Sequence, residues 1–396
     1  MVTEKIALNA PERFEGKFEL DRAKLDRAID VAADKLKARQ MEHGDQIPYS
    51  STEDYKYYKF GILNDWTAGM YTGCYWLAYE LTGDDFFKET ASRQREIFRK
   101  RFDDKIGVDD HDVGFLYTPT AVAEYKITGN EDARTLALDA VNYFYEKSYS
   151  HEGKFIIRSW KTWDKGSGCR TMMDSLMNAP LLFWASEETG DPKFRNAALD
   201  HVKTTNKYLI RGDASSYHHY QFDPATAGPV GGVTWQGNRD ESCWSRGHSW
   251  GIYGLPIAYS YTKADFIPDL YRDITYYMLN HLPEDLIPYW DYDFTSGDEP
   301  RDSSAAAVAI CGMNEMDKLL PDAEWAPAFR CAAAKMLDSL IDICTADIGV
   351  PYEGLIHHVT HAKPQGRGID QCAVYGDYFY LDALLRYTKP ECKKYW

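Results

Sequence analysis

The feature of this chain that most restricts its fold is a junction between two helices that recurs along the sequence. Three apolar helical segments end in Thr-Gly followed by Asp or Asn, with the glycines at Gly83, Gly129 and Gly190. Glycine readily takes the left-handed conformation that ends a helix, and the Asp or Asn after it caps the next one. Six junctions, about 46 to 75 residues apart, indicate six repeated units. The three looser junctions lie at residues 259–266, 317–325 and 384–391.

Helical hairpins joined by short turns pack side by side, and six of them can close into a ring. We therefore predict an all-α fold, an (α/α)6 barrel of six helical hairpins with an inner and an outer ring. One domain is expected over residues 1–396, with residues 1–20 as an N-terminal extension. Residues 154–163 are expected to form a short extended loop or hairpin. An open superhelix of the same hairpins is the alternative.

Charge and composition exclude several classes of partner. Lysine and arginine number 45 against 61 acidic residues, a formal net charge of −16, whereas nucleic-acid binding requires a basic surface. The sequence contains neither a membrane-spanning apolar run nor the apolar segment of a signal peptide. Its eight cysteines form no CxxC pair, which is typical of free thiols in a reducing compartment. We predict a cytoplasmic monomer or weak homodimer that binds neither nucleic acid nor membrane.

A polar cluster marks the start of each helix that precedes a junction. If the six inner helices run in the same direction, these starts meet at one mouth of the barrel and five aspartates line one acidic cavity. An aspartate at a helix start is ordinarily an N-cap, and this interpretation is favoured for Asp65, Asp302 and Asp377. The clusters lie at residues 64–66, 111–114, 172–175, 246–250, 301–304 and 375–378.

Asp112 and Asp174 differ from the other aspartates because adjacent hairpins bring them together. Asp174 stands among methionines in an otherwise apolar segment, where a carboxylate costs free energy unless something compensates it. His111 and a flexible loop at residues 166–170 are expected beside the two carboxylates. Two neighbouring carboxylates raise the pKa of one of them, which prepares an acid and a base near neutral pH. We predict that Asp112 and Asp174 are the catalytic pair.

Taken together, these motifs resemble glycoside hydrolase family 88, the unsaturated glucuronyl hydrolases. The resemblance implies an (α/α)6 barrel with neither a metal nor an organic cofactor. It also implies release of 4,5-unsaturated glucuronic acid from the non-reducing end of lyase-generated oligosaccharides, of glycosaminoglycan or related type. In family order, the matching motifs are NDWTAGM (64–70), HDVGFLY (111–117), MMDSLMN (172–178), TWQG (234–237), WSRGHSW (244–250) and YGDYFYLDALLR (375–386).

The resemblance also assigns roles to individual residues. Asp174 falls on the catalytic acid and base, and Asp112 on its partner carboxylate. An unsaturated uronate is a vinyl ether, so one carboxyl group can protonate C4 and then accept a proton from the water that attacks C5. The carboxylate spacing that classifies ordinary glycosidases therefore does not apply. The predicted sugar contacts are Trp66, His111, His218, Gln236, Trp244, Arg246 and Trp250.

A loop near the C-terminus matches the segment that, in some family members, offers Ser-x-x-Ser-x-Lys to a substrate sulfate. His358, His361 and Lys363 occupy these positions here, followed by Arg367. An imidazole with a pKa near 6.5 is mostly neutral at pH 7. We therefore predict a preference for unsulfated or weakly sulfated disaccharides, with sulfate tolerance growing toward pH 6. A solvated connector is the alternative interpretation of this loop.

Three other functions remain open. An unsaturated rhamnogalacturonyl hydrolase would share the barrel and the chemistry, although TWQG followed by ESCWSRGHSW favours the glucuronyl branch. A sugar epimerase would use a histidine pair such as His111 and His248, which leaves Asp112 and Asp174 without a role. The third alternative is a carbohydrate-binding barrel without catalysis. The histidine pairs of the chain lack HExxH spacing, so no metal site is predicted.

Overall fold

The computed structural model describes residues 1–61, 64–157, 169–346, 350–392 and 395–396. A π-helical turn (Thr118–Val122) joins the segments Val113–Tyr117 and Ala123–Thr128 into one continuous helix. Counted in this way, the described residues form twelve α-helices. The helical segments are α1 (Arg22–His43), α2 (Ala68–Thr82), α3 (Asp85–Asp103), α4 (Val113–Tyr117), α5 (Ala123–Thr128), α6 (Glu131–Ser148), α7 (Ser175–Thr189), α8 (Pro192–Thr204), α9 (Ser245–Thr262), α10 (Ile267–Asn280), α11 (Ser303–Leu319), α12 (Ala326–Cys344) and α13 (Val374–Thr388).

Six of these helices form a closed inner ring. In order around the ring, α2, α4–α5, α7, α9, α11 and α13 each contact the next, and α13 contacts α2. The outer helices α3, α6, α8, α10 and α12 each pack against the inner helix that precedes them. The inner helices are buried on nearly every face, whereas α3 buries a stripe at three- and four-residue steps, from Phe87 to Phe98. The predicted (α/α)6 barrel is confirmed.

The first three junctions have the predicted geometry. Gly83, Gly129 and Gly190 end their helices with φ of 75°, 74° and 74°. The side chains of the following Asp84, Asn130 and Asp191 accept backbone N–H groups at the start of the next helix. These local hydrogen bonds explain why the repeat is visible in the sequence.

The sixth junction is wrong as a helix–turn–helix, because no helix follows α13 among the described residues. Its outer partner is α1, which packs against both α13 and α2. The buried face of α1, with Leu25, Ile29 and Leu36, occupies the place where a following helix would lie. The chain after α13 instead folds inward and buries Trp396 against Phe379.

Two small sheets lie outside the helical rings. The strand β1 (Tyr149–Ser150) pairs with β2 (Phe155–Ile156), as expected for the first part of residues 154–163, and residues 158–163 lie outside the described residues. The strands β3 (Cys169–Met172), β4 (His219–Phe222) and β5 (Pro229–Val233) form an antiparallel sheet. The loop expected at residues 166–170 is therefore partly strand, because Cys169 and Arg170 pair with β4. Residues 166–168 lie outside the described part.

Residues 1–20 run along the outside of the barrel. The N-terminal amine donates to Ile210 O at 3.0 Å, and the amides of Thr3 and Glu4 both donate to Gly212 O at 3.0 Å. Their assignment as an extension of a single domain stays a prediction. All eight cysteines are free thiols. Among the described helices, none is long and apolar enough to cross a membrane.

Candidate active site

A cavity of about 520 Å³ opens at the starts of three neighbouring inner helices, α2, α4 and α7. Asp65, Asp112 and Asp174 all line it, so these three helix starts meet as the sequence predicts. Loops that follow β5, precede α9 and precede α13 complete the wall. Its lining includes Trp66, His111, Phe115, His219, Trp235, Gln236, Trp244, His361, Gln365 and Arg367.

Asp174 lies in the turn between β3 and α7 and is only 7 % exposed. It occupies the N-cap position of α7, yet its side chain accepts no capping hydrogen bond. The amide of the preceding Met173 donates to His218 O at 3.1 Å, which ties this turn to β4. His218 Nε2 lies 3.6 Å from Asp174 Oδ2. The Asp174 carboxylate is therefore positioned for the cavity and not for capping its helix.

The environment of Asp174 differs electrostatically from the predicted one. Burial raises the pKa of Asp174, but His218 and His111 more than offset burial, and the pKa lies below its usual range. The sequence-based prediction that Asp112 raises the pKa of Asp174 is wrong for the protein without substrate. The reason is that the fold places two imidazoles beside the carboxylate.

The backbone of residues 234–236 determines which nitrogen of His218 carries a proton. The amides of Trp235 and Gln236 point at His218 Nδ1, at 3.3 and 3.4 Å. A nitrogen that accepts N–H groups must keep its lone pair, so the ring hydrogen sits on Nε2. His218 thus presents an N–H to Asp174 Oδ2 even when the imidazole is neutral.

His111 lies between two carboxylates. Its Nδ1 hydrogen-bonds Asp110 Oδ1, and its Nε2 lies 3.3 Å from Asp112 Oδ1. The donor atoms of these three residues lie within 4.8 Å of one another, a spacing that also suits a cation. An imidazole with a hydrogen on each nitrogen can donate to both carboxylates, so this arrangement does not require a bound cation. The predicted absence of a metal stays a prediction.

Asn178 links the Asp112 carboxylate to the backbone of Asp174 and was not identified from the sequence. Its Nδ2 lies 3.5 Å from Asp112 Oδ1 and 3.2 Å from Asp174 O, while its Oδ1 accepts the Phe115 amide at 2.8 Å. A Cβ at Gly114 would lie 2.5 Å from Asn178 Cα, so glycine permits this approach of α4 to α7. The available signal was the position of Asn178 four residues after Asp174, on the same helix face.

Two predicted sugar contacts lie behind the cavity wall. Arg246 is fully buried and forms an ion pair with Asp302, and its guanidinium donates to Thr360 O at 2.9 Å and His361 O at 2.6 Å. Trp250 is 0 % exposed, with its ring centroid 5.3 Å from that of Phe115. Both contacts stay predictions, and Arg246 also supports the loop that carries His361.

Asp302 and Asp377 are also buried behind the wall, and neither is a simple N-cap. Asp302 hydrogen-bonds Ser304 Oγ as well as Arg246. Asp377 accepts from Arg39 Nη1 and Tyr57 Oη, each at 2.9 Å, and from the Leu355 amide at 2.7 Å. Asp65 does not cap α2 either, because the N-cap residue is Thr67, whose amide donates to Asp65 Oδ1 at 2.8 Å.

Of the three loop residues predicted to meet a sulfate, only His361 lines the cavity. His358 pairs with Asp370 and Lys363 with Glu299. Burial, aided by Arg246 and Arg367, lowers the pKa of His361 to about 3. The predicted protonation of His361 between pH 7 and pH 6 is therefore wrong, since its ring is shielded from water beside two arginines.

Of the other predicted contacts, Trp66, His111, Gln236 and Trp244 line the cavity, whereas His218 is not among the lining residues. Trp66 stacks on Tyr375 with ring centroids 5.4 Å apart. Gln236 Nε2 donates to His361 O at 2.8 Å and so connects the two loops that form the wall. His218 packs on Trp244 behind Asp174, at a centroid distance of 4.3 Å. The cavity therefore places a buried carboxyl group, that of Asp174, beside aromatic side chains that suit a sugar ring.

Residues 33–355 match the family described as Glycosyl Hydrolase Family 88. An unsaturated chondroitin disaccharide hydrolase of Streptococcus pyogenes serotype M1 is 39% identical over 394 residues, which cover 98% of this chain and 97% of the relative. The crystal structure of an unsaturated glucuronyl hydrolase from Streptococcus agalactiae superimposes with a TM-score of 0.95 at 36% identity, covering 100% and 99% of the two chains. A mutant of the S. agalactiae protein, complexed with dGlcA-GalNAc6S, has a TM-score of 0.88 at 35% identity and covers 100% of both chains.

Proposed function

Because the chain belongs to glycosyl hydrolase family 88, we propose that it uses Asp174 to release 4,5-unsaturated glucuronic acid from lyase-generated oligosaccharides. The enzyme is a glycosidase, and its substrates are unsaturated disaccharides of glycosaminoglycan type. One observation carries the assignment of Asp174. Its carboxylate lines the cavity, is 7 % exposed and faces the ring N–H of His218.

The reaction begins with protonation of the double bond. Asp174 in its acid form gives its proton to C4, and positive charge develops at C5 and on the ring oxygen. A water molecule then adds to C5 and returns a proton to the Asp174 carboxylate. The hemiketal formed at C5 opens, and the glycosidic bond to the second sugar breaks. One carboxyl group thus serves as both general acid and general base.

Substrate binding supplies the conditions for the first step. Without substrate the pKa of Asp174 is low, because the two imidazoles outweigh burial. The substrate brings its own carboxylate into the cavity and displaces water, and both changes favour the neutral acid. His218 Nε2–H is directed at Oδ2, which leaves Oδ1 to carry the proton toward C4. Proton uptake therefore accompanies substrate binding.

Asp112 acts through position. Its carboxylate contacts His111, and Asn178 connects it to the turn that holds Asp174. These contacts fix the spacing of α4 and α7 at the point where the sugar ring must lie. Trp66 and Trp244 supply aromatic surface on the same cavity.

The structure does not support the epimerase alternative. It requires His111 and His248 to act on one substrate. His248 is fully buried, its Nε2 hydrogen-bonds Ile274 O at 2.8 Å, and burial lowers its pKa to about 4. It does not line the cavity that contains His111.

The preference for unsulfated or weakly sulfated disaccharides remains part of the proposal, for a different reason. Glu299 and Asp370 already pair with Lys363 and His358, and burial lowers the pKa of His361 to about 3. The loop therefore offers a sulfate less positive charge than its sequence suggests. Arg367 lines the cavity and is the residue on this loop that is available to an anionic group.

The proposal is tested by following the ultraviolet absorbance of the conjugated C4=C5 bond. Unsaturated disaccharides from chondroitin and from rhamnogalacturonan lyases are supplied separately. We expect decay with the first set, loss of that decay in Asp174→Asn, and full activity in Asp191→Asn, whose carboxylate caps α8 away from the cavity. Decay only with the rhamnogalacturonan product, or none with either, would overturn the proposal. Cytoplasmic location and a monomeric or weakly dimeric state remain predictions for fractionation and sedimentation.

A further inference from the structure

Trp235 combines exposure with a place on the cavity. It is 40 % exposed and lines the cavity together with Gln236 and Arg367. The other tryptophans discussed above are buried or half-buried. Aromatic surface is more favourable when it is removed from water, so a ligand that covers this indole gains free energy from the contact.

The backbone around Trp235 is held on both sides. Its amide points at His218 Nδ1 at 3.3 Å, and its carbonyl accepts from Gln365 Nε2 at 2.6 Å. Two residues later, the loop is tied to the buried Asp291, whose Oδ2 accepts the Asn238 amide at 2.9 Å. The backbone that carries the Trp235 indole is therefore held in place before a ligand arrives, so ligand binding has to order little of this loop.

The direction of the substrate follows from the chemistry. The unsaturated uronate must lie at Asp174, which is buried, and the sugar that leaves must extend toward the opening of the cavity. The exposed lining residues are Asn64, Trp235 and Arg367, and Trp235 is the aromatic one among them. The C–H face of a sugar packs well on an aromatic ring, whose face carries partial negative charge.

We propose that Trp235 is the platform on which the leaving sugar stacks, and therefore a residue that determines how well a second sugar is recognised. This inference rests on the proposed function. The deep part of the cavity would bind the uronate alone, while Trp235 contributes only when a second ring is present.

The test compares two substrates in one set of variants. One is an unsaturated chondroitin disaccharide, and the other is the methyl glycoside of the same unsaturated uronate, which lacks a second ring. An aromatic contact of about 0.5–1.5 kcal/mol corresponds to roughly a 2- to 12-fold change. We expect Trp235→Ala to lower kcat/KM for the disaccharide by that factor, mainly through KM, and to leave the methyl glycoside within about twofold of wild type.

Two variants make the result specific. Trp235→Phe keeps a flat aromatic face and should recover most of the loss. Val230→Ala alters a 64 % exposed side chain on β5 that does not line the cavity, and should change neither substrate. Equal losses on both substrates, or no loss on either, would overturn the assignment of Trp235. If the wild-type protein hydrolyses neither substrate, the proposed function itself fails.

Discussion

Asp174 and Asp302 occupy equivalent places in the chain, the residue just before an inner helix, and yet the fold gives them opposite surroundings. Asp302 is fully buried against Arg246, a cation that stays charged at every accessible pH. Asp174 reaches a cavity and lies beside the imidazoles of His218 and His111. Asp302 is held in an ion pair, whereas Asp174 can exchange a proton with a ligand.

The comparison teaches that the position of a carboxylate at a helix start does not determine its role. Burial raises the pKa of both residues, but Arg246 only partly offsets burial at Asp302, whose pKa stays raised. At Asp174 the imidazoles outweigh burial. Since catalysis requires a carboxyl group that gains and loses a proton during turnover, only Asp174 is suitable. The following predictions test this difference.

The largest effect is expected for Asp174→Asn. Loss of the transferable proton should lower kcat by at least about 10²–10⁴, while the protein should stay folded because asparagine keeps the shape of the side chain and an oxygen that can face His218 Nε2. Turnover on an unsaturated disaccharide and thermal unfolding provide the two measurements. Near-normal turnover by a folded Asp174→Asn variant would remove Asp174 from the mechanism.

Asp302→Asn should show the reverse pattern. It leaves the guanidinium of Arg246 buried without its carboxylate, which costs about 3–5 kcal/mol of unfolding free energy. Urea unfolding at pH 7 measures the loss. The double variant Asp302→Asn with Arg246→Met removes both charges and should recover part of the stability. An Asp302→Asn variant as stable as wild type would show that the ion pair contributes nothing.

A smaller effect is expected for Asp112→Asn. Asp112 Oδ1 lies 3.3 Å from His111 Nε2, and the loss of a polar contact to a carboxylate is worth about 1.5–3 kcal/mol, or roughly 10- to 150-fold if all of it appears in the rate. The pH optimum should also move, because Asp174 no longer titrates near a second carboxylate. The matched control is Asp110→Asn, which removes the other carboxylate on His111. Equal effects of the two variants would place the importance in His111 and not in Asp112.

The smallest effect concerns pH and sulfate. The pKa of His361 is lowered to about 3 in the folded protein, far below the unfolded value near 6.5. The ring therefore stays neutral between pH 5.5 and 7.5, and the ratio of kcat/KM for matched sulfated and unsulfated disaccharides should change by less than about twofold.

The same shift has a consequence for stability. Because the unfolded chain binds a proton at His361 that the folded protein does not, stability falls as the pH drops from about 6.5 toward 3. His361→Gln should reduce this slope in urea unfolding measured at several pH values.

The prediction on sulfate has its own contrary outcome. A sulfate preference that rises steeply toward pH 5.5 would show that His361 gains a proton in the complex.

Much of the fold was predictable because its signals are local in sequence. The capping glycines and the Asp or Asn that follow them bond within a few residues, as at Gly83 and Asp84. The starts of the inner helices were predictable for the same reason, and with them the meeting of Asp65, Asp112 and Asp174 at one cavity. The assignment of a sixth outer helix after α13 failed because α1, from the other end of the chain, takes that place.

The sequence by itself therefore determined the first five hairpins and the carboxylates at the starts of the inner helices. Only the tertiary structure decided which carboxylate is neutralised, since the partners come from distant segments. Arg39 meets Asp377 across 338 residues, and Arg246 meets Asp302 across 56. It also placed His218 beside Asp174 and buried Trp250 against Phe115. No local pattern encodes these contacts, because charge pairing and burial depend on which surfaces the closed ring brings together.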